Sequence, residues 1–159
     1  MEQGPRKPLR LPDFAYDTPG AYFITVCTKD RAPILGTLVG AGDHTGPYTK
    51  LTEIGKTVEA FTKTVPGIDR YVIMPDHVHM ILLVSAENIL QGPMWSSAPT
   101  GRNIQTTVRS WKTLISKKLG VGIWQRSYYE HVIRCEQDYW EIVKYIEENP
   151  VKRYYSRGG

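Results

Sequence analysis

The sequence has little cysteine, no internal repeat and no apolar run long enough to cross a membrane. Its two cysteines, Cys27 and Cys135, lie far apart and form no CxxC pattern. This spacing argues against a disulfide framework and against a cysteine-ligated zinc site. No apolar run reaches the roughly 18 residues that a membrane span needs, and residues 1–10 are polar and basic without an apolar signal core. We therefore expect a cytoplasmic protein with no membrane partner.

The length and the composition are those of one globular domain. The chain has 159 residues, of which 41% are hydrophobic and 23% are charged. These values predict a single domain with an ordinary core over residues 1–159. Lysine and arginine total 20 against 16 acidic residues, which gives a net charge of +4. This modest excess favours a polyanionic partner such as nucleic acid without establishing one.

Basic residues are concentrated near both ends of the chain, in expected tails over residues 1–15 and 151–159. Such charge pairs with phosphate groups and is expected to bind DNA, although solubilising tails explain the pattern equally well. The residues are Arg6, Lys7 and Arg10 in the first tail, and Lys152 and Arg153, beside Tyr154 and Tyr155, in the second.

Apolar periodicity predicts an alternation of strands and helices. Strands are predicted over residues 21–29, 34–39, 70–74, 77–84 and 127–133, with the first two forming a hairpin. Helices are predicted from an N-cap at Thr52 to about residue 66, over residues 104–119, and over residues 138–148, where Asn149-Pro150 ends the last one. Residues 85–102 are predicted to form a long loop.

This order of elements predicts an α+β fold. Strand, helix, two strands, helix and strand suit an antiparallel sheet covered on one face by two helices, as in ferredoxin-like folds. The third helix is then an addition at the C-terminal end of the chain.

His77 and His79 are two residues apart in a predicted strand, so both imidazoles project from the same face. Two imidazoles can hold one metal ion and leave positions open for water or for substrate oxygens. The alternative is a pair of half-buried histidines that pack on the sheet, and the spacing alone does not decide. The turn residues Pro75 and Asp76 directly precede the pair, which favours a rigid platform for ligands.

Tyr145 and Asn149 are four residues apart at the third predicted helix, so both side chains point from one face. A phenol can act as a covalent nucleophile where a metal polarises the group that it attacks. An asparagine amide oxygen can ligate an ion. The alternative for Tyr145 is a helix tyrosine that packs at the edge of the core.

Three ordered motifs carry a family resemblance. They are YVIMPDHVH at residues 71–79, IWQRSYYEHVIR at residues 123–134 and YIEENP at residues 145–150. These motifs resemble those of the single-tyrosine transposases of the HUH class, most closely the branch of REP-associated tyrosine transposases. Residues 10–16 and the strand at residues 22–28 also resemble that branch, so the similarity covers nearly the whole chain.

The resemblance implies a ferredoxin-like catalytic domain that binds Mg²⁺ or Mn²⁺. The implied ligands are His77, His79 and a side chain one turn after the nucleophile, which here is Asn149, where related branches often have glutamine. The implied nucleophile is Tyr145, which opens the third motif and would form a 5′-phosphotyrosine with single-stranded, hairpin-bearing DNA. The resemblance leaves open whether the protein acts as a monomer or as a homodimer.

Further side chains are candidates for contacts with DNA or with the metal ligands. Trp124, Tyr128 and Tyr129 could stack on unpaired bases or pack in the core. The side chains that could orient the ligands are those of Asp76, Glu130 and His131. The basic residues expected to hold the DNA backbone, in addition to both tails, are Lys112, Lys117, Lys118, Arg126 and Arg134.

Two other functions remain open from the sequence. A domesticated relative would bind DNA hairpins without transferring strands. A zinc-dependent hydrolase would use His77 and His79 on a small substrate, with the tyrosine incidental. The sequence offers no cysteine or carboxylate third ligand at a diagnostic spacing, which weighs against the hydrolase.

Overall fold

A computed structural model describes residues 20–40, 47–84 and 104–156. The expected N-terminal tail with Arg6, Lys7 and Arg10, and the expected loop at residues 85–102, lie outside the described residues. In chain order the elements are β1 (Gly20–Cys27), β2 (Gly36–Val39), β3 (Tyr48–Leu51), α1 (Glu53–Thr62), β4 (Ile68–Met74), β5 (His77–Val84), α2 (Ile104–Leu119), β6 (Tyr129–Ile133) and α3 (Glu136–Ser156), with a short 3-10 turn, Lys29–Arg31, after β1.

Four strands form an antiparallel sheet in the order β4-β5-β1-β6. Together with α1 and α2, this order is that of the ferredoxin-like fold, which confirms the expected α+β class. The register places Thr25 of β1 opposite His79 of β5 and Cys27 opposite His77. The β4–β5 hairpin turns at Pro75-Asp76, as the sequence predicts. Within the three described ranges, no helix is both long enough and apolar enough to cross a membrane.

The main core lies between the sheet and the pair α1 and α2. Trp111 on α2 is 1% exposed, and its Nε1 donates to Thr62 Oγ1 on α1 at 3.2 Å, which joins the two helices. The buried side chains of α1 and α2 pack against alternate residues of the strands, including Ile24 and Val78.

The opposite face of the sheet is covered by α3. Its Val143 and Ile146 pack against Phe23 and Ile81, and these four residues form a separate cluster. Because side chains alternate along a strand, the histidines of β5 fall on this second face. The fold therefore directs the histidine pair toward the helix that carries Tyr145.

The expected hairpin between β1 and residues 34–39 is wrong. The strand in this region, β2, pairs with β3 in a separate two-stranded sheet, with Gly36 opposite Leu51 and Val39 opposite Tyr48. Both edges of β1 are already paired with β5 and β6, so no edge of β1 remains for β2.

The expected end of the third helix before Asn149-Pro150 is also wrong, because α3 continues through Pro150 to Ser156. A proline inside a helix lacks the N–H that would bond the carbonyl four residues earlier, at a cost of about 3 kcal/mol. The burial of Ile146 and Pro150 and the ion pair of Arg153 with Asp76 offset this cost. Residues 151–156, expected in a tail, are therefore helical.

Thr52 caps α1, as the sequence predicts. Its Oγ1 accepts a hydrogen bond from the Gly55 backbone at 3.0 Å and donates to the Ile34 carbonyl at 2.7 Å.

We expect Thr52→Ala to lower the free energy of unfolding by about 1 to 2 kcal/mol, measured by urea denaturation. The control is Thr57→Ala, whose hydroxyl bonds only the Glu53 carbonyl of the same helix and should cost less than about 0.5 kcal/mol. An equal decrease in the free energy of unfolding in both variants would contradict a capping role for Thr52.

Candidate active site

The β4–β5 hairpin presents two histidines to one buried position. His77 and His79 are 6% and 5% exposed, and their ring centroids lie 4.5 Å apart. The Nε2 atoms of the two rings are 3.1 Å apart, within hydrogen-bonding distance. The structure therefore brings the two nitrogens together on one face of β5.

The other nitrogen of each imidazole meets an oxygen. His77 Nδ1 lies 2.7 Å from Asp76 Oδ1, and His79 Nδ1 lies 2.8 Å from Thr25 Oγ1. An ionised carboxylate can only accept, so His77 carries its proton on Nδ1 and presents a lone pair on Nε2. The Thr25 hydroxyl can donate or accept, so it permits either tautomer of His79. Oxygen partners on one ring nitrogen are typical of histidines that ligate a metal through the other.

Asp76 is buried and is held by two arginines. Arg153 donates from Nη1 to Oδ1 at 2.8 Å and from Nη2 to Oδ2 at 2.9 Å, and Arg31 Nη2 lies 3.3 Å from Oδ2. Burial by itself would raise the pKa of Asp76, but the hydrogen bonds from Arg153 and His77 outweigh it and hold the pKa well below its usual range. The carboxylate is therefore ionised at neutral pH.

Both imidazoles are neutral near pH 7. Burial lowers the pKa of His77, and its hydrogen bond to Asp76 only partly opposes this effect. Burial lowers the pKa of His79 to about 3, and repulsion by His77 when it is protonated and by Arg31 and Arg153 acts in the same direction. Neutral rings leave nitrogen lone pairs available for a cation.

Helix α3 aligns Tyr145, Asn149 and Arg153 at intervals of four residues, so all three project toward the hairpin. The Tyr145 ring centroid lies 5.2 Å from that of His79 and 6.1 Å from that of Phe23, edge-on to both. Tyr145 is 43% exposed and Asn149 is 9% exposed. A cavity of about 490 Å³ opens between the helix and the sheet, and its walls include Thr25, Arg31, His77, His79, Tyr145 and Asn149.

The nitrogen and oxygen atoms in this cavity suit a hard divalent cation that keeps some of its coordination positions open. Within residues 20–40, 47–84 and 104–156, no three side chains of His, Cys, Asp or Glu are placed to share a metal ion. The available donors are the Nε2 atoms of His77 and His79 and the amide of Asn149. Two donors at right angles on bonds of about 2.1 Å are about 3.0 Å apart, which fits the observed 3.1 Å between the Nε2 atoms. The other ligands would come from water or substrate.

The basic residues predicted to bind DNA occupy different environments. The Lys112 ammonium donates to the carbonyls of Gln125 and Arg126 at 2.7 and 3.1 Å, and burial lowers its pKa. Lys152 lines the cavity and pairs with Glu148 at 3.3 Å, whereas Arg153 is bound to Asp76. The remaining described candidates, Lys117, Lys118, Arg126 and Arg134, are exposed. Their contact with DNA stays a prediction.

The other candidate side chains divide between the site and the core. Asp76 contacts His77, whereas His131 Nε2 lies 2.9 Å from Asp138 Oδ2. Glu130 is 2% exposed and alternates with His131 on β6, so it faces the α1 and α2 side of the sheet. The aromatic candidates Trp124 and Tyr128 pack against the main core, and Tyr129 is 50% exposed.

Two residues of the site, Thr25 and Arg31, were not predicted from the sequence. Thr25 reaches His79 because β1 lies beside β5, and no spacing along the chain indicates that register. Arg31 reaches Asp76 through the 3-10 turn, where Asp30 and Arg31 have φ angles of 57° and 54°. Aspartate tolerates this left-handed region better than most residues, which is the one local signal for the turn.

Comparisons with known proteins give several relatives of this chain. No protein-family model matches the chain. An uncharacterised protein of Haemophilus influenzae is 29% identical over an alignment that covers 92% of this chain and 88% of the relative. A second protein of that organism, provisionally named a REP-associated tyrosine transposase, is 27% identical over 86% of this chain and 73% of its own length. A REP-associated tyrosine transposase of Escherichia coli is 30% identical over 54% of this chain and 44% of its own length.

A solved structure has the same fold. It is that of a REP-associated tyrosine transposase bound to a REP hairpin, with a TM-score of 0.59 and 23% sequence identity. The similarity covers 96% of this chain and 74% of that chain. Two of the similar proteins and the structure with the same fold thus carry the name REP-associated tyrosine transposase, the branch that the three motifs of this chain resemble.

Proposed function

We propose that the chain cleaves and rejoins hairpin-bearing single-stranded DNA through Tyr145, with Mg²⁺ or Mn²⁺ held by His77, His79 and Asn149. The observation that carries the proposal is the shared cavity, which brings the phenol of Tyr145 beside the neutral histidine pair. The names of the relatives and the hairpin bound in the neighbouring structure support the choice of DNA as substrate.

Tyr145 has the properties of a nucleophile for a large substrate. Its side chain is 43% exposed, so a phosphate on a DNA strand can approach it. Its ring lies edge-on to Phe23 and His79, which restricts the positions of the phenolic oxygen. Restriction of a nucleophile near its target lowers the entropic part of the activation barrier.

The covalent step transfers a phosphoryl group without net hydrolysis. When bound, the divalent cation polarises the scissile phosphate and offsets its negative charge. The Tyr145 oxygen bonds to phosphorus and loses its proton to solvent, while the bond from phosphorus to the 3′ oxygen breaks and that oxygen takes up a proton. The products are a 5′-phosphotyrosine and a free 3′-hydroxyl. Attack by another 3′-hydroxyl reverses the step and rejoins DNA, so no ATP is needed.

The other residues of the site orient the ligands. Asp76 fixes the tautomer of His77, and Thr25 fixes the ring of His79. Arg153 ties α3 to the same carboxylate, which keeps the helix of the nucleophile against the ligand strand.

An enzyme of this kind works where chromosomal DNA lies, which in a bacterial cell is the cytoplasm.

The proposal is tested by trapping the covalent intermediate. The protein is mixed with a labelled pool of hairpin-bearing single-stranded DNA and Mn²⁺, denatured, and the adduct is mapped by mass spectrometry. We expect an adduct on Tyr145 that disappears when EDTA replaces Mn²⁺. An adduct on Tyr129, or one that forms equally in EDTA, would overturn the assigned nucleophile or the metal dependence. Tight hairpin binding with no adduct would show a DNA-binding relative without strand transfer.

A further inference from the structure

We infer that Arg31 binds the scissile phosphate in the proposed reaction. The inference rests on the proposed function and names a residue that none of the three motifs contains. Arg31 lies on the short turn Lys29–Arg31, directly after β1. Its side chain enters the cavity that Tyr145, His77 and His79 also line.

The position of Arg31 suits a phosphate that lies between the nucleophile and the metal ligands. Among the described residues that line the cavity, it is the one contributed by neither the sheet nor α3. It therefore enters the cavity from a different element than Tyr145, which lies on α3, and than His77 and His79, which lie on β5. A phosphate placed within reach of the phenol and of the histidines would lie in the cavity that the Arg31 guanidinium also lines.

The charges around Asp76 leave one arginine incompletely neutralised. The single carboxylate faces two guanidinium groups, those of Arg31 and Arg153. Arg153 takes both oxygens at 2.8 and 2.9 Å, with its side chain 16% exposed. Arg31 has one contact of 3.3 Å to an oxygen that Arg153 already shares, and its side chain is 50% exposed. The surplus positive charge thus lies on Arg31, at the accessible side of the cavity.

The backbone of the turn holds Arg31 in an uncommon conformation. Asp30 and Arg31 have φ angles of 57° and 54°, in the left-handed region that non-glycine residues seldom adopt. Two consecutive residues in this region carry strain, and such strain is concentrated at functional sites. Backbone bonds fix the turn despite the strain, because Lys29 donates to the Ile123 carbonyl at 2.8 Å and Arg31 donates to the Thr28 carbonyl at 3.0 Å.

The chemistry of the guanidinium fits the assigned role. Its planar fork can donate two parallel hydrogen bonds to the non-bridging oxygens of a phosphate. Charge on these oxygens must be stabilised as the Tyr145 oxygen bonds to phosphorus and the 3′ oxygen leaves. Arg31 Nη1 now donates to Cys27 Sγ at 2.8 Å, a weak acceptor that a phosphate oxygen would readily replace.

The test compares adduct formation by Arg31→Ala, Arg31→Lys and wild-type protein at saturating hairpin DNA and Mn²⁺. The control is Lys29→Ala, which removes an exposed positive charge from the same turn. We expect Arg31→Ala to slow adduct formation about 100-fold, and Arg31→Lys to recover about tenfold of that loss because the charge is kept. Lys29→Ala should stay within about threefold of the wild-type rate.

The affinities for Mn²⁺ and for hairpin DNA separate phosphate binding from a structural role. Both should stay within about threefold of wild type in the Arg31 variants, by calorimetry and fluorescence anisotropy. The inference would be overturned if Arg31→Ala formed the adduct at the wild-type rate. It would also be overturned if Arg31→Lys formed the adduct no faster than Arg31→Ala, or if slower adduct formation in these variants came with weaker Mn²⁺ binding. Absence of an adduct with the wild-type protein would instead overturn the proposed function, and the inference with it.

Discussion

The Tyr145→Phe variant is expected to form no covalent adduct with DNA while it binds the hairpin as tightly as the wild-type protein. Phenylalanine lacks the oxygen that bonds to phosphorus, so adduct formation should fall by at least about 1000-fold. The ring that lies edge-on to Phe23 and His79 is retained, so the fold and the cavity should not change. The measurement is a denaturing gel of labelled DNA, alongside fluorescence anisotropy for binding.

The matched control for this variant is Tyr129→Phe. Tyr129 has a comparable exposure of 50%, but it lies on β6 and does not line the cavity. We expect this variant to form the adduct at the wild-type rate. If Tyr145→Phe still forms an adduct and Tyr129→Phe does not, the nucleophile is Tyr129 and the assignment of Tyr145 is wrong.

The Asp76→Asn variant is expected to bind Mn²⁺ about 10 to 100 times more weakly than the wild-type protein and to form the adduct correspondingly slowly. Asparagine has nearly the same shape but no negative charge, so it cannot fix the tautomer of His77 as a carboxylate does. It also leaves Arg31 and Arg153 facing each other without a counter-ion. Isothermal titration calorimetry with Mn²⁺ measures the affinity.

Glu147→Gln is the matched control for Asp76→Asn. It removes a carboxylate of α3 that pairs with Arg70 at 3.1 Å, but this pair is exposed and lies away from the cavity. Exposed pairs contribute about 0 to 1 kcal/mol to stability, so both Mn²⁺ affinity and adduct formation should be unchanged. Equal Mn²⁺ affinity in Asp76→Asn and wild type would show that His77 does not need its carboxylate partner.

Local patterns along the sequence were sufficient to predict the elements around the histidines. The run HVHMILLV predicts a strand at residues 77–84, and β5 has these bounds. The apolar spacing from Ile104 and the glycine at residue 120 predict α2, which ends at Leu119. In these segments the local preference and the tertiary structure agree, so the sequence alone is informative.

The sequence was less informative where a distant contact decides the local structure. Pro150 predicts the end of a helix, but α3 continues to Ser156, where Arg153 can reach Asp76 some 77 residues earlier in the chain. Tertiary packing commonly overrides such local preferences. The pairing of β2 with β3 is likewise set by which sheet edges are free, and no residue in β2 encodes that.

The sequence predicted four residues that line the cavity, but not the two residues that contact the histidine pair and Asp76. Spacing and family resemblance point to His77, His79, Tyr145 and Asn149, and the structure gathers these four around one cavity. The contact of Thr25 with His79 depends on strand register, and that of Arg31 on a left-handed turn. Both arise from the three-dimensional arrangement of the chain, which apolar periodicity does not specify.

The two faces of the sheet bury very different numbers of apolar side chains. Among the described residues, sixteen buried side chains form the cluster under α1 and α2, whereas four form the cluster under α3. Separation of α3 from the sheet therefore exposes far less apolar surface than separation of α1 and α2 together, and costs less free energy. The helix that carries Tyr145 is thus held to the sheet by a small apolar cluster together with the ion pair of Arg153 and Asp76.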